Sequence, residues 1–236
     1  MPHRDFDVVS LARYLHLSPP QVVRLAERGK IPGRKVAGQW RFPRAEVHHW
    51  LEQRIGAAED EQELAHLETV VSHPAAGPSE TTFTRLTDLI PLEAIAIPLR
   101  AKTRNSVVSA MVDLAARTGL LWDKQPMVEA VLAREAMYPT ALENGVALLH
   151  PRRPMRALLA QPLICLGITP SGVPFGGAGL TDIFFLICSV DDPGHLRMLT
   201  RLSRVLSLEG VLDALRSASD APMAQQVIQR AEETLP

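Results

Sequence analysis

Cysteine is scarce in this chain: two residues among 236, Cys165 and Cys188. Both lie inside apolar stretches, and neither belongs to a Cys-x-x-Cys pair or a zinc-ligand spacing. A disulfide-built fold and a cysteine metal site are therefore disfavoured, and two buried thiols in a reducing compartment are expected. Long hydrophobic runs are missing too. No stretch of about twenty residues escapes charge, proline or glycine, so no membrane-spanning helix is expected. The first residues, Met1-Pro2-His3-Arg4-Asp5, lack the apolar segment of a secretory signal, which makes the cytoplasm the expected compartment. The last absence is local: residues 56–83 contain no Lys or Arg, against six Asp and Glu.

That gap divides the chain. Residues 1–55 hold ten Lys and Arg against five Asp and Glu, and the residues after 83 hold fifteen of each, which gives the net charge of −1. A basic head (1–55), an acidic helix and linker (56–83) and a neutral body (84–236) are expected as separate parts. With 46% hydrophobic and 22% charged residues the composition is that of a globular protein.

The head reads as helix, turn, helix, hairpin, helix. Val8, Val9, Leu11, Ala12, Leu15 and Leu17 give an amphipathic helix ending before Ser18. Ser18 is an N-cap candidate with Pro19 and Pro20 in the first turn, where a missing N–H costs little. The next helix, about 20–27, would bury Val22, Val23, Leu25 and Ala26, and Gly29 suits the position after its end. Ile31, Val36, Trp40 and Phe42 flank Ala37-Gly38, the pattern of a two-stranded hairpin. Arg44-Ala45-Glu46-Val47 opens a further helix carrying Val47, Trp50, Leu51 and Ile55 on one face. Trp40, Phe42 and Trp50 are expected in the core. His48 and His49 are neighbours on different helical faces and no shared metal is expected of them. His3, His16, His66 and His73 are read as surface. Leu64, Leu67 and Val71 continue a helical stripe that is expected as a solvated spacer, the alternative of a dimerising coiled coil needing a stripe of three or four heptads, and Ser72-His73-Pro74-Ala75-Ala76-Gly77-Pro78-Ser79 reads as the linker. In the body, strands are expected at 93–97, 145–149, 162–168 and 182–189. Helices are expected at 85–90, 104–118, 125–136, 194–207, 209–216 and 221–234. Strands interleaved with helices imply an α/β fold, a mixed sheet flanked by helices. Ser171 to Gly179 is glycine-rich but lacks the Lys-Ser/Thr of a phosphate-binding loop, and is expected to form turns.

Ser10-Leu11-Ala12-Arg13-Tyr14-Leu15, Ser18 to Leu25, Arg28-Gly29-Lys30-Ile31-Pro32, the Val36–Phe42 hairpin and Glu46 to Leu51 resemble the excisionase-like, MerR-related winged helix-turn-helix family. The resemblance covers nearly all of residues 7–51. It implies that the second helix enters the major groove of double-stranded DNA while the wing grips the backbone. The residue pattern agrees. Gln21, Arg24 and Arg28 lie off the Val22/Leu25 face, and Lys30, Arg34, Lys35 and Arg41 surround the hairpin. Gln21 and Arg24 are assigned to base readout and the wing cations to phosphate. Without DNA these cations are an ordinary solvated surface. One such module buries about 600–1,000 Å² on DNA, so a homodimer or another partner is expected where binding is tight.

In the body, a predicted helix ends in Arg134-Glu135, Asn144-Gly145 turns into an apolar strand, and that strand delivers His150. With His195-Leu196 and then Leu199, Leu202 and Leu206, this resembles the fructose/mannitol/nitrogen-type enzyme IIA family of the phosphoenolpyruvate-dependent sugar phosphotransferase system, from about Leu86 onward. The resemblance implies that His150 accepts a phosphoryl group from a histidine-containing phosphocarrier protein, steadied by Arg134 and His195, with no cofactor. Phosphoryl transfer needs positioning and donors that follow the charge on the phosphoryl oxygens, and an imidazole of ordinary pKa is largely neutral near pH 7. Thr140, Asn144 and Arg152 are further candidates for polar support, and N–H groups at the helix start around His195 would favour an anion. The chain departs from the family's Pro-His-Gly at Leu149-His150-Pro151. Pro151 removes a backbone donor, which Arg152 and Arg153 would have to replace. Three functions fit: a transcriptional regulator switched by phosphorylation, a phosphocarrier serving a sugar transporter, and an interaction protein without phosphotransfer.

Overall fold

The computed structural model describes residues 5–58, 61–72, 79–81, 83–176 and 179–235. They fall into two units, Met1–Pro78 and Ser79–Pro236. Readings made for His3, His73, most of the linker, and Gly177-Ala178 lie outside the described residues.

The first unit begins with α1 (Val8–Tyr14), capped by Asp7, whose Oδ1 accepts from the Ser10 N–H at 2.7 Å. It ends sooner than the apolar spacing implied, because His16 takes a left-handed φ of 54° and turns the chain. In α2 (Pro19–Glu27) Ser18 is the N-cap, and Gly29 follows the end with φ 66°. Val22 and Ala26 are buried in α2, while Val23 and Leu25 stay half exposed. β1 (Arg34–Val36) and β2 (Gln39–Arg41) pair antiparallel with Lys35 opposite Trp40. The two turn residues, Ala37 and Gly38, both have positive φ, 49° and 78°, which matches the right-handed twist of the strands. Phe6 exchanges two backbone hydrogen bonds with Phe42, each 2.9 Å, and its ring stacks on Tyr14 at 5.2 Å. Phe42 is fully buried as expected, but Trp40 and Trp50 are half-buried. Each sits under a cation instead, Lys35 over Trp40 and Arg54 over Trp50.

α3 (Arg44–Gly56) buries Val47, His48, Leu51 and Ile55. The acidic stretch corrects an expectation: α4 (Glu61–Val71) is no solvated spacer. It buries Leu64, Leu67, Val70 and Val71, packs against α3, and places Glu63 on Arg54. A helix with four apolar residues at helical spacing recovers more free energy by burying them than by standing in water.

The second unit is a four-stranded mixed sheet in the order β3 (Ile95–Ala96), β5 (Leu163–Pro174), β6 (Leu180–Cys188), β4 (Val146–Leu149). β5 and β6 are antiparallel, and β3 and β4 run parallel to their neighbours. α5 (Arg104–Arg117) and α6 (Lys124–Met137) cover one face, sharing a core with Ala147, Leu149, Cys165, Phe184, Leu186 and Cys188. α7 (Asp192–Ser207) packs on β6 and on α9 (Ala221–Glu233), which α8 (Val211–Arg216) precedes. A sheet buried on both sides explains why Leu163–Ile168 and Ile183–Cys188 read as unbroken apolar runs. Both thiols are fully buried.

Three expected elements differ. Residues 86–89 form a 3₁₀ turn, not a full helix. The strand expected at 93–97 shrinks to Ile95–Ala96, because Pro91 and Pro98 bracket it and Leu92–Ala94 coil into a 3₁₀ turn. Ser171 to Pro174, expected as turn, extend β5 past a register shift between Ile168 and Val173. Pro174 is tolerated there because it sits at the strand's end.

Candidate functional site

β4 and β6 lie side by side and parallel, with Leu149 opposite Leu186. Side chains alternate along a strand, and Ala147 and Leu149 face the α5/α6 core. Leu148, and His150 just past the strand, therefore point to the opposite face. There the rings of His150 and His195 approach to 4.9 Å between centroids, tilted by 50°. Both side chains are buried. Nδ1 of His150 lies 2.8 Å from the Leu148 carbonyl oxygen. A carbonyl only accepts, so this nitrogen carries the proton, and Nε2 holds the lone pair in the neutral ring. Nδ1 of His195 sits 3.2 Å from the buried Ser189 hydroxyl.

The start of α7 corrects another expectation. Its N–H groups are not open to an anion, because Asp191 already holds them: Oδ1 accepts from Gly194 N at 2.7 Å, and the His195 N–H donates to the Asp191 carbonyl at 2.9 Å. The same carboxylate collects Ser79 Oγ at 2.8 Å, Glu80 N and Thr81 N at 3.0 Å, and Thr81 Oγ1 at 2.9 Å. Burial raises the Asp191 pKa, but these donors outweigh it and hold the carboxyl below its ordinary range. A Cβ on Gly194 would fall 2.1 Å from Thr81 Oγ1, so the residues 79–81 require glycine there.

Arg134 is buried in the last turn of α6, and its Nη1 donates to the Tyr138 carbonyl at 2.6 Å. Its Nε is buried without a hydrogen-bond partner among the described residues. Thr140 does not offer its hydroxyl outward. Both its N–H and its Oγ1 donate to the carboxylate of Glu135. The Thr140 carbonyl in turn accepts from Leu148 N at 3.3 Å, which ties this loop to the strand that ends at His150. Glu135 was read only as the partner in an Arg-Glu pair. It is 1% exposed, and burial raises its pKa against the opposing Thr140 hydrogen bonds and the Arg134 and Arg104 charges. Asn144 is a turn former: its Oδ1 accepts from Val146 N at 3.3 Å, ahead of Gly145 at φ 84°. Arg152 and Arg153 are exposed, and Pro151 is buried. Ser189, Glu135 and Asp191 were not singled out by sequence. A polar residue directly after an apolar strand is a signal for Ser189, and Asp191, three residues before Gly194, had the form of a cap.

In the first unit Gln21, Arg24, Arg28, Lys30, Arg34 and Lys35 are exposed and Arg41 is half-buried. The Oε1 of Gln21 accepts from both the N–H and the hydroxyl of Ser18 at 2.8 and 2.7 Å, which occupies the acceptor side of its amide. Arg41 donates to Gln39 at 3.0 Å. Among the described residues no helix is long and apolar enough to cross a membrane.

Two families match the chain. The profile described as "Phosphoenolpyruvate-dependent sugar phosphotransferase system, EIIA 2" matches residues 88–231, and that of the "Helix-turn-helix domain" matches residues 6–55. The chain is 28% identical over 138 residues to the PTS system fructose-specific EIIABC component of Bacillus subtilis, covering 57% of this chain and 21% of that protein. It is 36% identical over 100 residues to the Multiphosphoryl transfer protein of Vibrio cholerae, 42% of this chain and 24% of that one. It thus spans only about a fifth to a quarter of either relative. The fold is that of the nitrogen regulatory protein IIA-Ntr from Neisseria meningitidis, with a TM-score of 0.55, 20% identity, and coverage of 61% and 98%.

Proposed function

This chain belongs to the phosphoenolpyruvate-dependent sugar phosphotransferase system EIIA 2 family, and from that premise we propose that it is a DNA-binding regulator whose second unit takes a phosphoryl group on His150. The observation that supports this best is the paired imidazoles, 4.9 Å apart, with His150 locked through Nδ1 so that Nε2 is nucleophilic.

In the step proposed, the Nε2 lone pair attacks the phosphorus carried by a histidine of the phosphocarrier protein. The P–N bond to the carrier breaks as the new one forms, the carrier's imidazole, protonated on its other nitrogen, leaves neutral, and His150 keeps its proton on Nδ1. His195 then stabilises the phosphoryl oxygens by hydrogen bonding, and the buried Nε–H of Arg134 is a second donor suited to an anion. The helix-turn-helix domain supplies the DNA contacts, with Arg24 and the amide of Gln21 on bases and Arg28, Lys30, Arg34, Lys35 and Arg41 on phosphates. Double-stranded DNA and a homodimer follow as partners.

The test is incubation of the full chain with phosphoenolpyruvate and the general phosphotransfer proteins. An acid-labile phosphoryl adduct is expected on the wild type and not on His150→Ala. Binding to DNA is then compared with and without the adduct; equal affinity removes the switch and leaves a carrier that passes phosphate onward. A second reading has its own support: His150 is 3% exposed and Pro151 is buried. Transfer requires the ring to be uncovered, and a chain that never acquires label under these conditions is a sensor without chemistry.

A further inference from the structure

Within the first unit lies a cavity of about 540 Å³ whose apolar walls neither phosphoryl transfer nor DNA reading uses. Its walls are apolar: Leu15, Leu25, Ile31, Leu51, Leu67 and Val70 from α2, α3, α4 and the turns after α1 and α2, with the half-buried ring of Trp50 at the side. Its rim is cationic. Arg28, Lys30 and Arg54 supply the charge, the His66 ring lies beside them, and no carboxylate lines it. Arg54 is engaged by Glu63, whereas no acidic side chain pairs with Arg28, Lys30 or His66 among the described residues. Pockets for small ligands occupy roughly 300–1,000 Å³, with an apolar lining and a few placed polar groups.

We infer that this cavity is a binding site for a small amphiphile with an apolar aliphatic or aromatic body and one carboxylate head. The body lies against the leucines and Trp50, and the head takes charge-assisted hydrogen bonds from Arg28 and Lys30. Charge decides the class: a neutral apolar ligand leaves the rim cations unused, and a simple inorganic anion leaves the walls wet. Both cations are also assigned here to DNA phosphate, so the occupant competes with DNA for them. This last consequence, unlike the site itself, rests on the DNA-binding reading.

Calorimetry on the full chain with octanoate, octan-1-ol and acetate as probes decides the site. Octanoate is expected to bind one per chain, and about tenfold or more tighter than octan-1-ol, since a charged hydrogen bond contributes on that scale. Acetate is expected not to bind. Arg28→Gln with Lys30→Gln, both exposed and remote from the core, should abolish the preference for octanoate over octan-1-ol. Leu67→Trp should fill the cavity and remove both. Equal affinity for octanoate and octan-1-ol, or no heat from either, overturns the site. So does a dimer in sedimentation that Leu67→Trp dissociates, because a second copy is then the occupant. Fluorescence anisotropy with a mixed-sequence duplex tests the competition: saturating octanoate should weaken DNA binding several-fold. A chain that binds octanoate but not DNA under any salt condition refutes the DNA reading and the competition together while leaving the site intact.

Discussion

In the neutral ring of His150 the lone pair falls on Nε2 because of a bond made by the other nitrogen. The Leu148 carbonyl holds Nδ1, and it is the strand itself that places that carbonyl two residues back. Glu135 differs: its buried carboxylate feels the Arg134 and Arg104 charges, but among the described residues its hydrogen bonds come from Thr140, through one N–H and one hydroxyl. Thr140→Val keeps the shape and removes the hydroxyl donor. The variant is expected to lose about 1–3 kcal/mol, the cost of leaving a buried charged acceptor short of a donor, measured as a lower urea midpoint. Asp191 works in the opposite sense. Its folded pKa is depressed, so its contribution is complete above the ordinary carboxylate range and is lost as the pH falls through the folded value. Asp191→Asn should therefore be less stable near neutrality and show a shallower acid limb in denaturation between pH 5 and 2, about one carboxylate's worth. An unchanged acid limb would mean that the donors from Ser79, Thr81 and Gly194 do not bind the charge.

Among the elements, the wing carries a local conflict. Ala37 adopts φ 49° in a two-residue turn that glycine or asparagine would enter with less strain. Ala37→Gly is expected to stabilise the first unit by up to about 1 kcal/mol, read as a higher thermal midpoint, without touching Lys35 or Arg41. The elements also show what sequence could and could not reveal. The hairpin, the cap at Ser18 and the apolar strands around His150 were legible because each rests on local pattern, while the approach of His195 to His150 was legible only through the family resemblance. The burial of α4 was hidden by its acidic composition, although the stripe of Leu64, Leu67 and Val71 was visible. Residues 93–97 misled because an apolar run has the same look whether it coils or extends, and the flanking prolines decided it. The commitment of Thr140 to Glu135 depends on how a loop folds back on its helix. Periodicity does not encode that.

At the scale of the whole molecule, two units divide the chain at Pro78, each with its own buried core. The cysteines that were conspicuous for their rarity both belong to the second unit, on the α5/α6 face of the sheet. Burial pushes the Cys188 thiol up to about 12 and raises that of Cys165 as well, so neither offers a thiolate while the sheet is intact. Trp40 and Trp50 belong to the first unit. The molecule thus contains a separate clock for each half. Alkylation by an excess of iodoacetamide should be silent in buffer and should begin in step with opening of the sheet, while the indole emission of a Trp122→Phe chain follows the helix-turn-helix half. If the two traces coincide through a urea series, the halves unfold as one cooperative body. If alkylation lags behind emission, the half with the smaller core lets go first.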